Sequence, residues 1–305
     1  MLQRMNRVPI VKPPKLWTWN ALALSLAASV MTHAPANAGS LSDQLSERII
    51  KAREAEQRRN FGVALATYDA ALRIEGVNAD DTRVLLKNRS AFFERVQMFD
   101  RAEEDLSNVI KTKPEDPSVY ADRGYFYIRR SRFDAALDDF LSGAKLDPRN
   151  ALYPFGAGRA LAGSENYEAA LSFYDEAIKR NPTDARLFLA QAEAQVNLRR
   201  WEEARTNYDH AIALGLMQIS DRFFALAGRG YVSLVSAEYG PAIQFFNRAA
   251  ELNPAAWDVM MWRGYAHERS GHAKAALRDY AQAEQLRPAE TLIRSSIARV
   301  RASLK

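Results

Sequence analysis

The sequence predicts an all-α protein built as an α-solenoid, in which about seven copies of one helix–turn–helix unit stack in succession. Three features of the sequence predict this fold class. Alanines recur every 34 or 38 residues, a large apolar residue follows each alanine by four positions, and a small residue precedes each alanine by twelve. The 305 residues, 48% of them hydrophobic, are enough for such a stack.

Residues 1–38 predict a secretory signal peptide rather than part of the solenoid. The basic stretch MLQRMNRVPIVKPPK precedes the apolar stretch LWTWNALALSLAASVM, and Ala36, Asn37 and Ala38 form a small-x-small cleavage motif. Cleavage after Ala38 would leave a periplasmic or secreted chain with no stable membrane insertion. The alternative is an uncleaved inner-membrane anchor, although the apolar stretch is shorter than the ~20 residues of a membrane span.

The second helix of each unit, helix B, is predicted from the alanine column. Residues four and seven positions after each alanine are apolar or small, and these offsets share one face of an α-helix. This face is the predicted buried stripe of helix B. The alanine column is Ala64, Ala102, Ala136, Ala170, Ala204, Ala242 and Ala276, and the residues four positions later are Tyr68, Leu106, Phe140, Tyr174, Tyr208, Phe246 and Tyr280.

The first helix of each unit, helix A, contains the column of small residues. Glycine inside a helix costs about 1 kcal/mol relative to alanine, a cost that is tolerated where two helices cross closely. The small column is therefore the predicted contact of helix A with its own helix B. Its members are Ala52, Ser90, Gly124, Gly158, Ala192, Gly230 and Gly264.

Proline ends helix B in five copies, twelve positions after the alanine, because proline cannot continue a helix. These prolines are Pro114, Pro148, Pro182, Pro254 and Pro288. Asp116, Asn150 and Asp184 then supply predicted N-caps for the next helix A.

Where two successive alanines are 38 residues apart, Gly76 and Leu216 replace the proline. The four additional residues are close to one helical turn, so either helix B is one turn longer there or the loop is longer.

Residues 289–305 predict a final helix that covers the exposed core of the last unit. Terminal units of solenoids need such a cap for solubility. The predicted apolar stripe of this capping helix consists of Leu292, Ile293, Ile297, Val300 and Leu304.

The composition favours neither catalysis nor binding of a cofactor, a metal or nucleic acid. The absence of cysteine excludes disulfides, thiolate metal sites and a cysteine nucleophile. His210, His267 and His272 lack the spacing of a metal-binding motif. Four of the 42 basic residues lie in residues 1–38, which contain no acidic residue, so the remainder has 38 basic and 37 acidic residues. Such a near-neutral chain has no basic surface for nucleic acid.

Taken together, these columns resemble the tetratricopeptide repeat (TPR) family, whose 34-residue helix–turn–helix unit has small, aromatic, alanine and proline positions at the same offsets. The resemblance covers residues 45–290. It implies a right-handed superhelical solenoid at residues 39–288, followed by the capping helix at 289–305. The implied repeats span residues 45–78, 83–116, 117–150, 151–184, 185–218, 223–256 and 257–290.

In the TPR family, successive A helices line a concave groove that binds extended peptides or partner helices. The resemblance implies that this groove is lined by the residue after the small column and the residue four positions before that one. Tyrosine and arginine are common anchors of protein interfaces because they bury large areas and donate hydrogen bonds. The predicted partner-binding residues are Arg53, Lys87, Tyr125, Phe155, Arg159, Glu193, Tyr231, Met261 and Tyr265.

The predicted function is therefore a non-enzymatic scaffold or adaptor in the periplasm or cell envelope. It would bind a peptide segment or a protein partner in the concave groove and would use no cofactor. The alternative is a structural component of an envelope or secretion complex that self-assembles into homo-oligomers through the ends or edges of the solenoid.

Overall fold

A computed structural model of the chain describes residues 40–216 and 218–304. The predicted signal peptide and its cleavage site lie outside these described residues. Within them the chain forms fifteen α-helices and no β-strand. None of the described helices combines the length and the apolar character needed to cross a membrane.

The helices alternate as the A and B helices of seven hairpins, with one helix after the last hairpin. The A helices are α1 (Leu41–Gln57), α3 (Ala79–Arg95), α5 (Pro117–Arg129), α7 (Leu152–Gly163), α9 (Ala185–Asn197), α11 (Ile219–Val235) and α13 (Trp257–Arg269). The B helices are α2 (Phe61–Leu72), α4 (Phe99–Thr112), α6 (Phe133–Leu146), α8 (Tyr167–Arg180), α10 (Trp201–Leu214), α12 (Tyr239–Leu252) and α14 (Ala273–Leu286), and the last helix is α15 (Thr291–Ser303).

The described residues divide into two compact units, residues 40–156 and residues 157–304 without residue 217. The division falls within α7. Inside each unit, an A helix packs on its own B helix, and that B helix packs on the A helix of the next hairpin. Each unit is therefore a stack of hairpins with a core between successive helices.

The small column of helix A leaves room for the aromatic residue of helix B. A Cβ atom on Gly230 would lie 2.7 Å from Cε1 of Phe246, and one on Gly264 would lie 2.9 Å from Cδ1 of Tyr280. All seven residues of the alanine column have 0% exposure. These contacts confirm that the small column is where helix A meets its own helix B.

The predicted helix stops and N-caps are confirmed. Each of the five prolines lies two residues after the last residue of its helix B. The Asp116 carboxylate accepts a hydrogen bond from the Ser118 amide at 2.9 Å, and the Asp184 carboxylate accepts one from the Arg186 amide at 3.0 Å. Asn150 Oδ1 accepts one from the Leu152 amide at 3.0 Å. These bonds satisfy amide groups that the first helical turn leaves unpaired.

All seven turns between helix A and helix B contain one residue with a positive φ angle. Six of these residues are not glycine and have φ values between 55° and 63°, and the seventh is Gly271. The next residue donates its amide hydrogen to the carbonyl five residues earlier, as Met98 does to Phe93 at 2.8 Å. This is the hydrogen bond of a Schellman motif, so every hairpin reverses direction in the same way. The six non-glycine residues are Arg59, Gln97, Ser131, Glu165, Arg199 and Ala237.

The additional residues in the two 38-residue spacings lengthen the following helix A. The sequence analysis had considered only a longer helix B or a longer loop. Helices α3 and α11 have 17 residues, whereas α5, α9 and α13 have 13. Helix α10 keeps the 14 residues of an ordinary helix B, and α2 has only 12. Residues 219–222 therefore form an added N-terminal turn of α11, because a helix of ordinary length would begin at Phe223.

Helix α15 packs on α14 and covers the end of the 157–304 unit. Ile293, Ile297 and Val300 are buried in this contact. Leu304 is 54% exposed because it follows the last helical residue, so the predicted apolar stripe ends one turn earlier than expected.

Candidate partner-binding groove

The nine predicted partner-binding residues all lie on A helices, and we call them the helix-A row. Arg53, Lys87, Tyr125 and Phe155 belong to the 40–156 unit. Arg159, Glu193, Tyr231, Met261 and Tyr265 belong to the 157–304 unit. Each unit therefore contributes its own segment of the row, and the two segments have different chemistry.

In the 40–156 unit, the charged members of the row pair with the neighbouring helix A. Arg53 Nη2 donates to Asn88 Oδ1 at 2.7 Å. Lys87 Nζ lies 2.5 Å from Asp122 Oδ2. Burial raises the pKa of Asp122, and the positive charge of Lys87 opposes this shift. Tyr125 packs edge-on against Phe140, with ring centroids 5.0 Å apart.

Four members of the row are buried, although the sequence predicted an exposed lining. Phe155, Arg159, Tyr231 and Met261 have exposures of 9%, 5%, 5% and 4%. Tyr231 shows why, since its ring lies 6.3 Å from that of Trp201 and 5.3 Å from that of Trp262. These four side chains present almost no surface to a partner.

The 157–304 unit brings together three charged groups from three A helices. Arg159 lies on α7, Glu193 on α9 and Asp221 on the added turn of α11. Arg159 and Asp221 are buried, whereas Glu193 keeps partial access to solvent. The Arg159 charge acts on both carboxyl groups, and the Arg186 charge also acts on Asp221.

Burial dominates the electrostatics of the two carboxyl groups. It raises the pKa of Glu193 to about 8, although the Arg159 charge lowers it and the Asp221 charge raises it further. Burial also raises the pKa of Asp221, whereas the Ser220 hydroxyl and the positive charges of Arg186 and Arg159 lower it. Among the described residues, the Glu193 carboxyl group has no hydrogen bond and no ion pair. Removing a carboxylate from water without a partner disfavours its ionised form.

The Tyr208 hydroxyl lies beside this cluster and has no hydrogen-bond partner among the described residues. Tyr208 is fully buried, and after burial the Glu193 charge is the next cause that raises its pKa. The equivalent tyrosine in the last hairpin, Tyr280, donates to Glu268 Oε2 at 2.7 Å. In the hairpin of Tyr208 the corresponding position is Val196, which cannot accept a hydrogen bond. We call Arg159, Glu193, Asp221 and Tyr208 the α7–α11 cluster.

The melting temperature should fall as the pH rises from about 4.5 to about 8, because the folded protein holds the Glu193 proton more tightly than the unfolded chain does. In this window the folded state binds more protons, so its stability decreases with increasing pH. The variant Glu193→Gln should lose this part of the pH dependence. Circular-dichroism melts of both proteins across this range measure the difference. Parallel curves for the two proteins would contradict the raised pKa.

Sequence reasoning missed Asp221 and missed the role of Tyr208 beyond packing. The available signal for Asp221 was the 38-residue spacing, because the added turn of α11 carries this residue. The available signal for Tyr208 was Val196. Tyr68 and Tyr280 each donate a hydrogen bond to the glutamate twelve positions earlier, Glu56 and Glu268. Val196 occupies that position before Tyr208 and cannot accept such a bond.

Sequence reasoning also missed a set of buried ion pairs within single hairpins. Arg123 donates to both carboxylate oxygens of Asp139, at 2.9 and 2.8 Å, and the same bidentate pairing joins Arg89 to Asp105. A third pair joins Arg263 to Asp279. In each pair the arginine comes directly before the small-column residue of helix A, and the aspartate lies sixteen residues after the arginine, on helix B. The pairs therefore hold helix A on helix B.

No group of residues suited to hold a metal ion occurs in the described part of the chain.

Comparison with known proteins identifies the class to which this fold belongs. The tetratricopeptide repeat model matches residues 93–151, 124–185, 155–215 and 236–291. These matches cover more than half of the chain, and the chain belongs to the TPR family. The predicted fold class, an all-α solenoid of TPR hairpins with a C-terminal capping helix, is confirmed.

Solved structures support the same fold. YrrB, described as a TPR protein with an unusual peptide-binding site, is 19% identical with a TM-score of 0.53, over 63% of this chain and 96% of that one. A TPR protein from Parabacteroides merdae is 16% identical with a TM-score of 0.58, over 85% and 99%. PilF from Pseudomonas aeruginosa is 16% identical with a TM-score of 0.55, over 74% and 99%. A search of curated proteins found no match.

Membership in this family assigns the chain a general role. TPR domains are protein–protein interaction scaffolds and are generally not enzymes. The chain is therefore assigned to the class of proteins that bind protein or peptide partners.

Proposed function

We propose that the chain is a non-enzymatic scaffold or adaptor that binds a segment of a partner protein at Glu193 and Tyr265, the accessible members of the helix-A row in the 157–304 unit. The observation that carries this proposal is the half-buried Glu193 carboxyl group, which has no hydrogen bond or ion pair among the described residues. Desolvating such a group without a partner is unfavourable, and a bound segment would supply the missing partner.

The contrast with the other unit supports this placement. The Lys87 ammonium group in the 40–156 unit already has the Asp122 carboxylate as its partner. A ligand would have to break that pair before it could use either charge. In the 157–304 unit, Glu193 and the half-buried Tyr265 remain available to a partner.

We further propose that the protein acts in the periplasm or cell envelope after removal of residues 1–38. The order of basic stretch, apolar stretch and small-x-small motif supports this location. The mature chain would begin at Gly39.

A photo-crosslinking amino acid at position 265 of the full chain tests both proposals in the native host. Irradiation should give a covalent adduct with a partner protein, because Tyr265 lies at the accessible part of the row. The adduct should be found in the periplasmic fraction, and N-terminal sequencing should show Gly39 as the first residue.

The matched control carries the same amino acid at Glu203, which is exposed on α10, a B helix. This position should give no adduct with that partner. Adducts of equal yield from both positions would contradict the groove, and a chain that retains Met1 would contradict the cleaved signal peptide.

A further inference from the structure

Arg269, the last residue of α13, is exposed and has no ion pair among the described residues. Its Nε donates to the Tyr239 hydroxyl at 3.3 Å, and its Cζ lies 5.9 Å from the centre of the Tyr239 ring. Tyr265 lies four residues earlier on α13 and therefore shares a helix face with Arg269. Both tyrosines are partly exposed. We call Tyr239, Tyr265 and Arg269 the α12–α13 patch.

Arginines at the equivalent position of two other hairpins have a glutamate partner. Arg129 on α5 donates to both carboxylate oxygens of Glu94, at 2.9 and 2.6 Å. Arg95 on α3 pairs with Glu56, and its Nε lies 2.9 Å from Oε2. In both hairpins, as in that of Arg269, the arginine lies five residues after the small column. The glutamate belongs to the helix A of the preceding hairpin.

The preceding hairpin offers Arg269 a leucine instead of this glutamate. Leu234 lies 35 positions before Arg269, which is the separation of Glu94 from Arg129. A leucine side chain accepts no hydrogen bond, and Leu234 is buried. Arg269 therefore occupies the position of an ion pair whose acidic member is missing.

The nearest carboxylates already have partners. The charge of Glu268 acts on Arg269, but both oxygens of Glu268 accept hydrogen bonds from Arg299, at 2.7 and 2.8 Å. Glu238, directly before α12, lies 2.9 Å from Arg205. These two pairs are each neutral, so Arg269 contributes one positive charge that nothing beside it balances. An anionic ligand group would be attracted here and a cationic one repelled.

We propose that Arg269 binds the carboxylate of an aspartate or glutamate side chain in the partner segment. Its Nη groups are the donors, since Nε already donates to Tyr239. Tyr265 would pack against the apolar part of the same segment. This inference rests on the proposed function, because the acidic residue belongs to the segment that contacts Tyr265. It identifies the partner as a peptide segment with one acidic residue at a fixed position.

The probe is a library of random peptides displayed on phage as N-terminal fusions, selected against the full chain. Such peptides have no free carboxyl terminus, so side chains are their only carboxylates. The selected peptides should share an aspartate or glutamate at one position. In synthetic peptides with amidated C-termini, changing this residue to asparagine or glutamine should weaken binding by about 10-fold.

The variant Arg269→Gln should bind the acidic peptide about 10-fold more weakly and should no longer distinguish it from its amide counterpart. Arg269→Glu should reverse the preference and favour a peptide with lysine at that position, a result that requires direct contact. The matched control is Arg248→Gln. Arg248 is exposed on α12, with its Cζ 5.9 Å from the centre of the Phe245 ring, and its loss should leave the affinity unchanged.

The outcomes separate this inference from the proposed function. Equal affinity of the acidic and amide peptides, a shared lysine or arginine, or binding that requires a free carboxyl terminus overturns the carboxylate site. In those cases a loss of affinity in Tyr265→Ala keeps the proposed function intact. Affinity that is unchanged in Tyr265→Ala, or a selection that yields no binding peptide, overturns both.

Discussion

Replacing Arg123 with methionine should lower the free energy of unfolding by about 3–5 kcal/mol, because it leaves the buried Asp139 carboxylate without its countercharge. Asp139 is 4% exposed and accepts two hydrogen bonds from the guanidinium group. Arg123 also donates to the Ser107 hydroxyl at 3.0 Å, so the substitution breaks a contact to the preceding hairpin as well. Urea denaturation followed by circular dichroism measures the loss.

The same helix offers a matched control with similar geometry and more solvent. Arg129 on α5 pairs with both oxygens of Glu94, at 2.9 and 2.6 Å, but its side chain is 39% exposed. The variant Arg129→Met should therefore cost at most about 1 kcal/mol. Equal losses for the two variants would mean that burial is not the source of the effect. The double variant Arg123→Met with Asp139→Leu should recover most of the stability, since no buried charge remains.

The substitution Gly230→Ala should destabilise the protein by about 1–3 kcal/mol, even though alanine favours helices. The new Cβ atom would lie 2.7 Å from Cε1 of Phe246, which is fully buried. Phe246 cannot move away freely, because its ring lies 6.0 Å from that of Trp262. Thermal melts of the variant and the parent protein measure the change.

Gly240 on α12 is the control for this substitution, since a Cβ atom there would have no neighbour within 4 Å. Gly240→Ala should stabilise the protein by up to about 1 kcal/mol through helix propensity. An increase in melting temperature for both variants would show that the contact of Gly230 with Phe246 is not tight.

The hairpin contacts were predictable because they depend on residues at constant sequence separation. Gly230 and Phe246 are sixteen positions apart, and the same separation joins Arg123 to Asp139. The packing pair was deduced from repeated columns, whereas the ion pair was overlooked because arginine and aspartate occupy those columns in only three hairpins. The repeated columns therefore predicted the apolar contacts within a hairpin, such as that of Gly230 with Phe246, and did not indicate the ion pairs.

The candidate site was less predictable because it depends on contacts between hairpins. Tyr231 is buried by Trp201 and Trp262, which belong to the hairpin of α9 and α10 and to that of α13 and α14. Asp221 is part of α11 only because this helix begins one turn early, and the spacing of the alanines does not show which helix receives the added residues. The repeat pattern therefore predicted that the helix-A row lies on the A helices, and neighbouring hairpins determine which side chains of the row are accessible.

The positive φ angles in the hairpin turns have a practical consequence for engineering. A non-glycine residue in the left-handed conformation costs about 1–2 kcal/mol, and six turns contain such a residue where the seventh has Gly271. Glycine at these six positions would remove the strain at each turn, although the unfolded chain would gain some entropy. Heat resistance could then be increased in small, independent steps at exposed positions, starting with Gln97 and Ser131 of the 40–156 unit.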